Sequence, residues 1–509
     1  MGVTALVALP VAYLVLRAAD ADASSWDLIL RSRTAWLAGR TLGLAAAVTA
    51  AAVALGVPLA WLTTRTDLPL RRVWSVVLAL PLVIPSYVGA FVLISALGPR
   101  GMFQQLLAPL GVERLPDISG FPGAFLALTL FTYPYVFLLT AAGIRGLGSS
   151  LEDASMSLGH DRWRTFRRVT LPLLRPSIAA GGLLVALYTV QDFGAVSLMR
   201  FPAFTQAIYL QYRGAFDRTP AAILSLMLLA IALAILSAER RARGRARYYR
   251  AGSGAERPLA PIALGRWRWP AVGLCAAVAL AGLGLPIGVL AFWLVRGLSS
   301  GGEVAAVWGA TGNSILASGA GAMVAVVAGL PVAILAARYG GRWSSLAERT
   351  TYVGYALPGI VVALALVFFA ANYLPWIYQS LPLLVVAYVV LFLAQAASPL
   401  RGALLQISPR IEEAGRALGS GPWRSFRRLT LPLISRAALA GFALVFLTAM
   451  KELPATLLLR PTGFETLATE VWTSASVGFF SEAAVPALVL IAVSALPLYM
   501  LTTRVEVRD

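Results

Sequence analysis

The chain has 509 residues, 59% of them apolar and 13% charged, with a mean hydropathy of +0.77. That composition excludes a string of water-soluble domains and describes a polytopic membrane protein. Its net charge of +19 comes from 42 basic residues, all arginine except Lys451, and in a membrane chain such charge reports topology, so no nucleic acid is expected as a partner.

Apolar runs long enough to cross ~30 Å of hydrocarbon as helix fall near 2–19, 40–64, 73–98, 122–145, 174–199 and 219–238. Six more fall near 270–296, 313–338, 350–371, 381–400, 433–459 and 483–503. The runs are continuous, not the alternating segments of a barrel, so the expected fold is all-α with about 12 transmembrane helices. Pro81, Pro85 and Pro358 stand where helices should kink or break. Between the two sets lies 239–269, which carries nine arginines around a Gly/Pro/Ser-rich middle. It reads as a cytoplasmic linker between a first transmembrane domain, 1–238, and a second, 270–509.

Placing that linker in the cytoplasm and alternating sides puts 28 arginines against 9 acids in the loops on its side. The opposite loops carry 9 arginines against 10 acids. The bias satisfies the positive-inside rule with both termini in the cytoplasm, and six helices per half make the halves parallel repeats.

Within the basic loops one passage occurs twice. EDASMSLGHDRWRTFRRVTLPLLR starts at Glu152 and EEAGRALGSGPWRSFRRLTLPLIS at Glu412, and at this offset of 260 the two agree at 13 of 24 positions. Each reads as a short helix with acids in its first turn, a turn at Gly159 or Gly419, and a second helix that places Trp163 and Phe166 on one face. Thr170 and Pro172 are the expected cap and first turn of the next membrane helix. Two matched polar faces on one side of the membrane imply two matched partners.

Other chemistry is largely excluded. A phosphate-binding loop needs GxxxxGK followed by Ser or Thr, whereas Lys451 lies in TAMKELP, so any nucleotide is bound by another subunit. The single Cys275 excludes an internal disulfide, and the single His160, in a polar loop, has no partners for a catalytic cluster. No catalytic residue and no cofactor of the chain's own are expected; the metal-binding residues are unknown.

The duplicated passage resembles the EAA loop of ABC-importer permeases: EAA, three residues, Gly, nine residues, a hydrophobe, one residue, Leu-Pro. Here it runs Asp153-Ala154-Ser155, Gly159, Val169, Leu171-Pro172, and again Glu413-Ala414-Gly415, Gly419, Leu429, Leu431-Pro432. The resemblance covers nearly the whole chain as two fused six-helix permease repeats of the binding-protein-dependent type. It implies docking of Glu152, Asp153, Ala154 and Gly159, and of Glu412, Glu413, Ala414 and Gly419, onto two copies of a separate ATPase that binds ATP-Mg. It also implies an extracytoplasmic substrate-binding protein and a bacterial inner-membrane location among lipid. FTYPYV (131–136), the run 191–212 and RARYYR (245–250) are most similar to ferric-iron uptake permeases, with thiamine permeases as near relatives.

Two polar pairs inside apolar runs keep the 260 offset: Gln191-Asp192 and Lys451-Glu452. Buried charge in a bilayer costs about 2.5–3.5 kcal/mol per residue and tends to mark a pathway. Their carboxylates would suit a trivalent cation; the alternative is an interhelical ion pair that fixes packing. Tyr133, Tyr135 and Tyr188 are further oxygen candidates, with packing as their alternative. A secondary transporter with six-plus-six repeats is the rival of a different class; ATP-independent uptake would mark it.

Overall fold

A computed structural model describes residues 2–22, 26–27, 31–147, 150–214, 219–243, 261–299 and 305–506. In the first half, α1 (Gly2–Ala19) and α2 (Ser32–Arg65) are followed by α3 (Arg71–Val77), α4 (Ser86–Leu97), α5 (Met102–Leu107) and α6 (Phe121–Arg145). The insert supplies α7 (Ser150–Ser157) and α8 (Arg162–Thr165), then α9 (Leu171–Gln191), α10 (Gly194–Leu198), α11 (Phe204–Gly214) and α12 (Thr219–Arg243). After the linker come α13 (Arg268–Ala279), α14 (Leu285–Ser299), α15 (Ala305–Arg338), α16 (Arg342–Ala356), α17 (Gly359–Tyr373) and α18 (Leu381–Gln406). The second insert gives α19 (Pro409–Ala417) and α20 (Pro422–Ser425), then α21 (Leu431–Met450), α22 (Pro454–Leu459), α23 (Leu467–Val477) and α24 (Phe480–Glu506).

Among the described residues nine helical stretches are long and apolar enough to span a bilayer, and two more spans are bent pairs. Phe480–Ala495 adds a shorter apolar helix, so each of the twelve expected runs has its element. The bent pairs turn by 94° before Ser86 and by 104° before Gly359. Proline causes both: Pro85 and Pro358 sit extended, with ψ of 146° and 138°, and a residue that precedes proline is pushed out of the helical region, as Ile84 and Leu357 are.

One packing unit comprises 32–206 and 230–293. Its centre is α2 against α6 against α9. A Cβ on Gly56 would lie 2.9 Å from the Phe137 nitrogen, and one on Gly181 would lie 2.7 Å from the Val136 Cα, so all three helices approach backbone to backbone. Val48, Tyr133, Val185 and the buried Cys275 belong to this core. The other unit comprises 1–31, 207–229 and 294–509. It repeats the same triad in α15, α18 and α21: Gly329 meets the Ala397 nitrogen and Gly441 the Ala396 carbonyl, at 3.3 and 3.0 Å from the added Cβ. The units differ from the chain halves 1–238 and 270–509, because α1 packs with α16 and α17 through Val7 and the Tyr13 hydroxyl on Phe368 O. Conversely, the continuous helix formed by α13, a π-turn at Leu280–Gly284 and α14 belongs, as far as Trp293, with the first-half helices, where Trp293 donates to Ser95.

Candidate functional site

Both inserts have the same build. Gly159 and Gly419 take φ of +84° and +78°, the left-handed turn that glycine alone adopts without strain. Trp163 stacks on Phe166 at 5.6 Å and Trp423 on Phe426 at 5.7 Å, one ring pair per copy. The expected break at Thr170 is absent. Phe166–Thr170 and Phe426–Thr430 are π-turns, and the helix runs unbroken from Arg162 to Gln191 and from Pro422 to Met450. The widened turn absorbs the misfit of Pro172 and Pro432, which lack an N–H to donate into the ladder.

Thr170 is therefore no cap; its hydroxyl serves the insert. It donates to Glu152 at 2.7 Å, and the other Glu152 oxygen accepts from Arg65, the last residue of α2. The second copy reproduces this: Arg338, the last residue of α15, reaches Glu412 at 3.1 Å, and Thr430 donates to the same carboxylate at 3.3 Å. Glu152 and Glu412 are thus turned inward and fasten the insert to the end of a membrane helix. Asp153, Ala154, Glu413 and Ala414 stay exposed, as do Gly159 and Gly419. Beside them Leu158 and Leu418 are 80% and 86% exposed. The third position of the motif is buried in both copies. Ser155 bonds Thr165 at 3.0 Å, and a Cβ on Gly415 would lie 2.7 Å from Leu429 Cδ1, which explains why that position departs from alanine in two ways.

The first copy also carries a strap. In the last part of the linker, Ile262 donates to Arg65 O at 2.8 Å and accepts from Asp67 N at 3.1 Å, while Leu264 N donates to the Asp67 carboxylate at 2.8 Å. This strap, the parallel bridge Thr66–Ile262, lies against the first latch; the cavity there is about 160 Å³, against about 290 Å³ beside the second. Linker residues 244–260, with the 245–250 motif, fall outside the described residues.

At the far end of the fifth helices, Asp192 and Glu452 follow the last turn of α9 and α21. The Asp192 carboxylate accepts from Ala195 N at 2.9 Å, Val196 N at 3.2 Å and the Ser86 hydroxyl, so it caps α10 and braces the first residue of α4. Glu452 accepts from Ala455 N at 3.1 Å and caps α22. Its carboxylate occupies the space that a Cβ on Gly359, the first residue of α17, would need. The two halves solve one problem by exchange: short acid with serine, long acid with glycine. Gln191 ends α9 and Lys451 is the residue after α21; both make interactions of their own. Tyr133 spends its hydroxyl on Leu78 O at 2.8 Å, and the Tyr135 and Tyr188 rings pack 6.1 Å apart. Among the described residues no three His, Cys, Asp or Glu side chains gather to hold a metal.

Sequence reasoning missed Arg65, Arg338, Ser86 and Gly359. It also missed a cleft of about 420 Å³ at the end of α22, lined by Tyr209, Tyr212, Arg213, Tyr378, Arg460 and Trp472. There Arg460 pairs with Glu465. Nearby Glu470 is pushed up to about 7 by burial first and by Glu465 second, with Arg460 opposing.

The family model described as "Binding-protein-dependent transport system inner membrane component" matches residues 33–247 and 329–507. The Fe(3+)-transport system permease protein FbpB 2 of Haemophilus influenzae is 35% identical over 97% of this chain and 95% of its own length. A second protein of that species, the putative ferric transport system permease protein FbpB 1, is 24% identical over 79% of this chain and 67% of its own. The molybdenum transport system permease protein ModB of Azotobacter vinelandii is 32% identical over 34% of this chain and 76% of its own.

Proposed function

The chain belongs to the binding-protein-dependent transport system inner membrane components, and from that premise we propose that it is the fused permease of an ATP-driven ferric-iron importer. It is a multi-pass membrane protein and a transport component. The observation that carries the substrate is the similarity to the Haemophilus influenzae Fe(3+)-transport permease along 97% of the chain, both halves included, whereas the molybdenum relative covers about a third.

In this reading both termini and both inserts face the cytoplasm, supported by the arginine bias of the loops. Two copies of a separate ATPase hold ATP-Mg and grip the inserts; the chain itself binds no nucleotide. Leu158 with Asp153, and Leu418 with Glu413, supply the apolar and acidic parts of each docking face, and Glu152 and Glu412 keep those faces attached to the membrane helices. Nucleotide binding draws the two inserts together and biases the pathway toward the outside, where a binding protein delivers iron; hydrolysis resets it. Asp192 and Glu452 act in the pathway as caps that hold its broken helices in shape, together with their neighbours Gln191 and Lys451.

The test is uptake of radioactive ferric iron by proteoliposomes containing this chain, the ATPase and the iron-loaded binding protein. Uptake that requires ATP inside and binding protein outside supports the reading. Uptake of thiamine in place of iron, or uptake that persists without ATP, overturns it.

A further inference from the structure

Aligned on their cytoplasmic ends, α2 and α15 are the same device. Both are 34 residues long and both end on the arginine that holds the insert glutamate. Pro58 and Pro331 stand seven residues before that arginine, and Gly56 and Gly329 press their backbones against α6 and α18. The opposite ends are matched as well. In the first half the Phe204 amide, at the start of α11, donates to the buried Thr41 hydroxyl at 3.2 Å. In the second the Leu467 amide, at the start of α23, donates to the buried Ser314 hydroxyl at 2.8 Å, and Asn313 adds a bond to Glu465 O at 2.9 Å. The first amides of a helix have no partner in their own helix, so each hydroxyl answers a need that cannot be left open in a buried place.

From Thr41 to Arg65, and equally from Ser314 to Arg338, is 24 residues, or about 36 Å at 1.5 Å per residue, enough to cross the hydrocarbon core. We propose that α2 and α15 are through-membrane struts, each pinned at both ends, that carry a displacement of the insert directly to the start of α11 or α23. Arg65 and Thr41, with Arg338 and Ser314, are then positioning residues. They provide a second route between the two faces of the membrane, parallel to the covalent route through α9 or α21. Because the hydrogen-bonded α-helix is stiff along its axis, a displacement of Glu152 or Glu412 reaches the far hydroxyl, and with it the amide that donates to that hydroxyl.

This inference rests on the reading that the inserts are where force enters, but its test needs no partner. Amide hydrogen exchange is measured on the full chain in lipid nanodiscs, without nucleotide. Arg65→Gln is expected to speed exchange at the Phe204 amide at least tenfold, leaving Leu467 unchanged; Arg338→Gln is expected to do the reverse. Arg65→Lys, which keeps the charge, restores much of the protection. Thr41→Val, acting from the other end, is expected to speed exchange in α7. If Arg65→Gln loosens α7 while Phe204 keeps its protection, the strut is overturned. Failure of the chain to bind an ATPase would overturn the proposed function and leave this result standing.

Discussion

The exchange of an Asp–Ser pair for a Glu–Gly pair allows a rescue experiment. In Gly359→Ser the new Cβ enters the space of the Glu452 carboxylate, which must leave its hydrogen bond with the Ala455 amide. Overpacking of this kind costs about 1–3 kcal/mol and loss of a helix cap about 1 kcal/mol, so the single variant is expected to lose about 2–4 kcal/mol. Glu452→Asp alone withdraws the carboxylate by one methylene from an otherwise glycine-sized gap, at about 1–2 kcal/mol. The double variant rebuilds the arrangement that Ser86 and Asp192 already use. Additive losses would total about 3–6 kcal/mol, whereas the account predicts a net loss below about 2 kcal/mol, a favourable coupling that a double-mutant cycle resolves. The assay is the apparent melting temperature of detergent-purified protein, followed by tryptophan fluorescence. A double variant that melts at or below the lower of the two singles refutes the equivalence of the two sites.

Three further outcomes are expected. Glu152→Ala leaves the Arg65 guanidinium without its carboxylate in a mostly buried place, at about 3–5 kcal/mol, and unsettles α7; Asp153→Ala, exposed, changes stability by less than about 0.5 kcal/mol yet weakens ATPase retention in a pull-down. Gly56→Ala pushes α2 off α6 and lowers the melting temperature, while Gly43→Ala on the same helix, with nothing within 4 Å of its Cβ, does not. Glu470 is an acid whose folded pKa, about 7, lies above its ordinary 4.5, so the folded state loses stability as pH rises through that window. Glu470→Gln should therefore melt higher than the parent at about pH 8 and equal to it near pH 4, and equal melting at both values would contradict the assigned burial.

The parts of the molecule that were legible in the sequence share one offset. From Glu152 onward the halves align at 260, which exposes the inserts, the glycine turns and the Asp192–Glu452 pair. Through α4 they align at 273: Thr41 with Ser314, Arg65 with Arg338, Pro85 with Pro358, Ser86 with Gly359. The change falls between α4 and α6, where the first half carries the longer connection, and it hid the latch arginines from a comparison at constant spacing. The inward turn of Glu152 was illegible for another reason. Two adjacent acids in a first helical turn look alike in sequence, and only the approach of α2 selects which one is buried. Thr170 misled because Thr-Leu-Pro is a sound helix start, and a π-turn that accommodates proline has no local signature. The apolar runs, by contrast, were fixed by hydrocarbon thickness alone.

The most direct measurement is cross-linking of single cysteines, introduced as Leu158→Cys or Leu418→Cys in a Cys275→Ser background, to ATPase subunits purified with the chain. The account predicts that each position captures one ATPase copy, that both together capture two, and that only a reagent admitted to the cytoplasmic side reacts. Capture at one insert alone, at neither, or from the outside would contradict it.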